Sequence, residues 1–330
     1  MVRPEVDMNS KTILLTGATG FIGGRLLRRL TQQGYNVRCL VRSKSKFKKL
    51  FPDLPEIGLA EGDLVQGTGL DKAMQGVDAS YYLVHSMGPG KQGASSEFAD
   101  RDRVAAENFL QAAENAGVDR IIYLSGLGDR KAGLSKHLSS RQEVGQILAS
   151  GHVAATELRA GVIIGSGGAS FEMIRYLAER LPVMVAPRWV NTSCQPIAVE
   201  NVLDYLAGCL QVPQTADQVL EICGPEQFSY RELMLTYARV RGLKRFILTV
   251  PVLTPKLSSY WVQLVTPIPS ALVRPLIDGL KNEVICRDER ILDLIPVQRI
   301  PMQEAICTAL AEEEAGPGAL PSKQACLYTE

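Results

Sequence analysis

Long apolar runs, paired cysteines, histidine clusters and an excess of charge are all missing from this sequence, and each absence closes a class of function. The stretch poorest in charge, Phe246 to Ile277, carries only Lys256 and Arg274, and Pro251, Pro255, Pro267, Pro269 and Pro275 divide it. Proline removes a helical donor and clashes with the preceding turn, so no run there reaches the ~20 residues a bilayer-spanning helix needs. The segment reads as buried structure in a C-terminal lobe; the alternatives are a dimer face, or a surface meeting lipid or a hydrophobic substrate. The first ten residues, MVRPEVDMNS, lack the apolar core of a secretion signal. Seven cysteines are spread widely with no C-x-x-C pair, which predicts reduced thiols and a cytoplasmic setting. The three histidines, His85, His137 and His152, show no metal-ligand spacing, so no metal is expected. A net charge of +1 provides no general field to attract nucleic acid.

What is present is a chain of 330 residues, 46% hydrophobic, long enough to bury one enlarged domain, or one domain and a smaller lobe. Its organising stretch is Lys11 to Gln33. Thr12 to Leu15 is a short apolar run bounded by glycine, the mark of an interior strand. Thr16-Gly17-Ala18-Thr19-Gly20-Phe21-Ile22-Gly23 then opens a helix with Ile22, Leu26, Leu27 and Leu30 on one face. Strand, glycine-rich turn and helix N-terminus in that order form a cradle for a pyrophosphate. Gly17 permits the turn, Gly20 lets backbone approach the ligand, and Gly23 lets the helix pack against its strand. The predicted cofactor-binding set here is Gly17, Thr19, Gly20, Phe21, Ile22 and Gly23, and the cofactor is a pyridine dinucleotide.

Further strands are expected at 36–41, 57–61, 79–84, 120–124 and 153–159. Helices are expected at 71–74, 96–116 and 139–150. This alternation specifies an α/β fold, a doubly wound parallel sheet of Rossmann type with a smaller C-terminal lobe. The dinucleotide domain is expected to span 11–165, with 195–225 returning to it, and the lobe 166–194 and 226–320. Just past the second strand stands Arg42, where an acidic residue would favour NAD and an arginine suits the 2′-phosphate of NADP. Arg42 therefore predicts NADP, with NAD as the alternative; the lysines that follow read as a solvated basic loop. Asp63 and Leu64 end the third strand, where a carboxylate can meet adenine. Val84, His85 and Ser86 end the fourth at the edge where ligands bind. There His85 either lines the nicotinamide end or makes a structural hydrogen bond.

Four stretches together resemble the short-chain dehydrogenase/reductase superfamily, and most closely its atypical, NmrA-like branch. They are TGATGFIGG (Thr16 to Gly24), GVDASYYLVHS (Gly76 to Ser86), RIIYLSGLG (Arg120 to Gly128), and ELRAGVIIG (Glu157 to Gly165) with QPIAVENV (Gln195 to Val202). The resemblance implies NAD(P) binding and hydride transfer between the nicotinamide and a carbonyl or alcohol. It also implies a serine that orients the substrate oxygen, a tyrosine that moves the proton, and a lysine four residues on. Ser125 occupies the serine position. The Tyr-x-x-x-Lys pair is absent, and His137-Leu138-Ser139-Ser140-Arg141 stands in its place. His137 is either the proton donor or a helix-capping residue. Arg141 keeps a permanent charge that could bond the ribose, without a lysine's compact geometry. Tyr81, Tyr82 and Tyr123 are expected to point into packing. The catalytic candidates are thus Ser125, His137 and Arg141, acting with NADP(H) on an unidentified small or hydrophobic substrate. The opposing reading is a non-catalytic dinucleotide sensor or assembly scaffold.

Overall fold

The computed structural model describes residues 11–55, 57–85, 95–128, 133–250, 267 and 276–315. In chain order the elements are β1 (Thr12–Thr16), α1 (Phe21–Gln32), β2 (Asn36–Val41), α2 (Lys44–Leu50), β3 (Gly58–Glu61), α3 (Leu70–Met74) and β4 (Ala79–Tyr82). Next come α4 (Ser95–Ala116), β5 (Arg120–Gly126), α5 (Lys136–Leu148), β6 (Ala154–Ala160), β7 (Ile163–Ile164), α6 (Ala169–Arg180) and β8 (Val183–Pro187). The remainder is β9 (Ser193–Cys194), β10 (Ile197–Ala198), α7 (Val199–Gln211), β11 (Val219–Ile222), β12 (Phe228–Ser229), α8 (Tyr230–Val240), β13 (Phe246–Val250), α9 (Ile291–Leu294) and α10 (Met302–Ala315).

Seven strands form one sheet in the order β11-β6-β5-β4-β1-β2-β3, and every neighbouring pair runs parallel. Strand direction alternates side chains between faces, so β1 sends Ile13 and Leu15 into one core and Leu14 into another. The first core lies under α1 and α7 around Leu26, Leu27, Tyr205 and Leu206. The second lies under α3, α4 and α5 around Met74, Phe109 and Leu148. Both faces covered by helices is the condition that permits a wholly parallel sheet. A third core, around Phe171, Leu233, Tyr237 and Ile306, belongs to the C-terminal lobe built from α6, α8 and α10. The chain returns from the lobe to lay β11 against β6.

Four expectations need correction. The lysines after Arg42 are not a loop but α2. Ser43 caps it by accepting from Lys46 N, and Phe47 is its buried residue. One apolar anchor and one cap suffice to wind a short basic helix. The helix expected from 139 begins three residues earlier, because Ser135 accepts from Leu138 N and caps it there. His137 therefore sits inside the first turn. The thiols expected to be reduced include a bonded pair: Cys223 and Cys286 form a disulfide with Cα atoms 6.2 Å apart. They are 63 residues apart in sequence, and only folding brings them together. Cys39, Cys194, Cys209 and Cys307 are buried and take no part in this bond, and Cys326 lies outside the described residues.

The fourth concerns 246–277. Ile247 and Ile277 are buried as expected, but Phe246 and Leu248 on β13 are 66% and 57% exposed, beside exposed Val183 and Val185 on β8. The strand alternates, so burying Ile247 against the lobe turns its neighbours outward. Residues 251–266 and 268–275 lie outside the described residues, as do Ser86, the loop 88–94 and the tail from 316. Among the described residues no helix is long and apolar enough to cross a membrane.

Candidate active site

Parallel strands all end on one edge, and there the sheet order reverses direction at the β1–β4 boundary. Thr16, fully buried, ties that boundary: its hydroxyl donates to Tyr81 O at 2.9 Å and accepts from Leu83 N at 3.1 Å. Gly17 follows with φ +72°, and a Cβ there would run into the Leu83 carbonyl. A Cβ on Gly23 would run into the Gly17 carbonyl. Both glycines are thus demanded by the chain's own packing. Gly20 is different. It is exposed beside exposed Thr19, and among the described residues, its chain neighbours aside, its notional Cβ would meet just Gly17 O, at 3.2 Å. It begins α1, which has no side-chain cap and no acidic residue in its first turn. The unpaired N–H groups and positive end of this helix are therefore left to a ligand. Phe21 turns its ring towards Gly165 and Gly168, under the Arg25 guanidinium 4.6 Å from its centre. Ile22 is half-buried against the α1–α7 core.

Arg42 is exposed at the end of β2. Asp63 is half-buried, and its Oδ1 accepts from Val65 N at 2.9 Å and Gln66 N at 3.0 Å, so this carboxylate shapes its own turn. Leu64 and Val84 pack partly buried against the α4-side core.

At the other end of the crevice the structure gathers more than the sequence suggested. His85 Nδ1 lies 3.0 Å from Asp102 Oδ2, and His85 Nε2 lies 3.0 Å from His137 Nδ1. The two imidazole centres are 4.7 Å apart. Ser140 donates its hydroxyl to the same Asp102 oxygen at 3.2 Å. With a carboxylate at one end, the hydrogens are fixed in order. Asp102 accepts Nδ1–H of His85, His85 Nε2 accepts Nδ1–H of His137, and His137 Nε2 is left with a lone pair. Among the described residues that last nitrogen has no hydrogen-bond partner. Burial and the nearby Arg141 charge push the His137 pKa down to about 2, with His85 adding to the effect. The His85 pKa is lowered too, chiefly by burial, but Asp102 opposes that shift.

Ser125, at the end of β5 and 1% exposed, has a buried Oγ with no hydrogen-bond partner among the described residues, and the same holds for Arg141 at Nε. An unsatisfied buried polar atom costs about 1–3 kcal/mol unless a ligand meets it. Arg141 lies beside Gly126, and its carbonyl accepts from the Tyr123 hydroxyl at 3.0 Å. Tyr81, Tyr82 and Tyr123 are all buried in packing, as expected. The open helix N-terminus and these two orphaned groups fit a dinucleotide laid from α1 to the end of β5.

The sequence profile of the NAD(P)H-binding family matches residues 17–166. Over that stretch the chain carries an NAD(P)H-binding domain. Relatives of this domain share limited identity with the chain. A ceramide reductase of Caulobacter vibrioides is 28% identical over 240 residues, 72% of this chain and 73% of that protein. A 3 beta-hydroxysteroid dehydrogenase/Delta 5-->4-isomerase of Mycobacterium tuberculosis is 32% identical over 122 residues, 34% of this chain and 31% of that one. The crystal structure of the Citrobacter triphenylmethane reductase complexed with NADP(H) superimposes with a TM-score of 0.70 at 18% identity, covering 90% of this chain and 99% of that one.

Asp102 and Ser140 were not anticipated, yet Asp102 had a signal. It falls on the inward stripe of α4 with Ala105, Ala106 and Phe109, all buried. A carboxylate on the apolar face of an amphipathic helix must find a partner. Ser140 is a small polar residue in a helix and carries no comparable mark. Among the described residues no cluster of acidic, histidine and cysteine side chains suits a metal ion.

Proposed function

We propose that this chain is an oxidoreductase that moves hydride between NADP(H) and a hydrophobic carbonyl or alcohol. The observation that carries this reading is that the same sheet edge holds a buried hydroxyl on Ser125 and an outer imidazole nitrogen on His137 that have no hydrogen-bond partner among the described residues. Bound along the edge, the nicotinamide supplies or accepts the hydride; the rest falls to the chain. The α1 amides hold the pyrophosphate and Arg42 the 2′-phosphate. Ser125 donates to the substrate oxygen, His137 Nε2 exchanges the proton, and Arg141 faces the ribose. A hydrophobic substrate agrees with relatives named for ceramide and steroid chemistry, and with a lobe whose core is apolar.

The test is NADPH oxidation by the purified chain against a panel of carbonyls that includes decanal and cyclohexanone. Turnover is expected, falling roughly 10²–10³-fold in Ser125→Ala and in His137→Ala while NADPH still binds. Full activity in both variants rules this assignment out. Tight NADPH binding without turnover on any carbonyl supports the sensor or scaffold instead.

A further inference from the structure

We infer that Asp102, His85 and His137 form a two-imidazole proton wire that exchanges the substrate proton and lodges its charge on His85 beside the Asp102 carboxylate. The inference rests on the oxidoreductase reading and deepens it, since it adds Asp102 and His85, which do not themselves meet the substrate.

A single imidazole beside Arg141 is a poor proton store, because the incoming positive charge would face a guanidinium. The hydrogen-bond order removes the difficulty. When an alcohol is oxidised, its O–H proton passes to His137 Nε2, and the Nδ1–H of His137 passes to His85 Nε2 across the 3.0 Å contact. His137 ends neutral, now carrying hydrogen on Nε2. His85 ends as an imidazolium whose Nδ1–H still points at Asp102 Oδ2, 3.0 Å away. The carbinol hydrogen leaves with its electron pair to the cofactor, so the substrate becomes a carbonyl and one proton remains in the wire. Reduction is the same sequence reversed. Asp102 is 4% exposed and is held in addition by the Ser140 hydroxyl. The charge therefore settles in a site that water does not reach freely, where the carboxylate's attraction is little screened. Other groups facing the wire are Arg141 on α5 and Tyr123 on β5; both are fixed by the bond between the tyrosine hydroxyl and the arginine carbonyl. Asp102 and His85 are thus positioning residues that act through His137.

Two measurements on the full chain test this. Imidazole nitrogen NMR of the ¹⁵N-histidine protein, without cofactor, should show hydrogen on Nδ1 and a bare Nε2 on both His85 and His137. Hydrogen on Nε2 of either ring while His85 is neutral overturns the wire. The second is the solvent isotope effect on decanal reduction by NADPH, followed through mixtures of H₂O and D₂O. Two protons moving together give a bowed dependence on deuterium fraction in the unaltered protein. His85→Gln should make it linear and lower kcat roughly 10–100-fold, because a glutamine carbonyl can accept the His137 Nδ1–H but cannot pass a proton on. Asp102→Asn keeps an acceptor without the charge and should lower kcat by a similar factor. In both variants the NADPH Kd and melting temperature should stay close to the unaltered values. An unchanged isotope curve in His85→Gln sinks the wire and leaves the oxidoreductase standing. Expected tautomers with no turnover of any carbonyl sink both.

Discussion

We propose that Arg42, exposed at the end of β2, sets which dinucleotide is preferred. The neighbouring Ser43 is committed to capping α2, with its hydroxyl 3.4 Å from Lys46 N. Titration should give tighter binding of NADP(H) than NAD(H), and Arg42→Ala should narrow that difference at least ~10-fold, about 1.4 kcal/mol. Equal affinities in the unaltered protein would contradict the assignment. His137 has a second consequence, for stability. Its pKa is about 2 in the fold against about 6.5 in an unfolded chain, so the unfolded chain binds the proton more readily. The stabilisation is complete above pH 6.5 and is lost as pH falls towards the folded value, by up to about 1.4 kcal/mol per pH unit. His137→Gln should flatten the fall in urea midpoint between pH 6.5 and 4 relative to the unaltered protein. Parallel curves for the two proteins would show that the imidazole is not held neutral.

At the scale of elements, whatever a local pattern determines was legible in the sequence. β2 runs from Asn36 to Val41 as its apolar run implies, and α1 follows its glycine turn. Ser229 and Glu232, at the i, i+3 spacing of a capping box, form a reciprocal cap on α8, with Ser229 N donating to Glu232 Oε2 at 2.7 Å and Glu232 N to Ser229 Oγ at 3.2 Å. Ser229→Ala should lower stability by about 1 kcal/mol in equilibrium unfolding. No loss would mean that water serves the helix end equally well. Illegible were the features that need a partner far along the chain. The lysines of α2 look like loop until Phe47 finds its core, and Asp102, marked by its place on the apolar face of α4, has no identifiable partner until folding brings His85 beside it. The candidate site divided the same way. Its glycines follow from spacing and Ser125 from the family resemblance, whereas the bond from His85 to His137 joins residues 52 positions apart.

For the whole molecule, the question is what keeps the lobe seated on the dinucleotide domain. Of three consecutive glutamates of α10, the first crosses to the dinucleotide domain and the other two tie α10 to the rest of the lobe. Glu312 pairs with Arg25 of α1 at 2.8 Å, Glu313 with Arg175 of α6 at 2.8 Å, and Glu314 meets Arg241, just past α8, at 3.3 Å. Such partly exposed pairs contribute up to about 1 kcal/mol each and weaken in salt, so the apolar contacts carry most of the attachment. The covalent tie lies elsewhere. Gln195 is buried and grips both ends of it, donating to Gly224 O at 2.8 Å and accepting from Cys286 N at 3.1 Å.

That bond between Cys223 and Cys286 makes a closed hoop of everything from Gly224 to Ile285, with β13 and the proline-divided apolar stretch strung on it. Opening a hoop of this length frees the unfolded chain by about 4 kcal/mol on the loop-entropy view, so Cys286→Ser, or reduction by dithiothreitol, should lower the melting temperature markedly. An equal melt with and without reductant would mean that the thread is slack. If it is taut, the protein's lifetime follows the thiol balance of the solution around it.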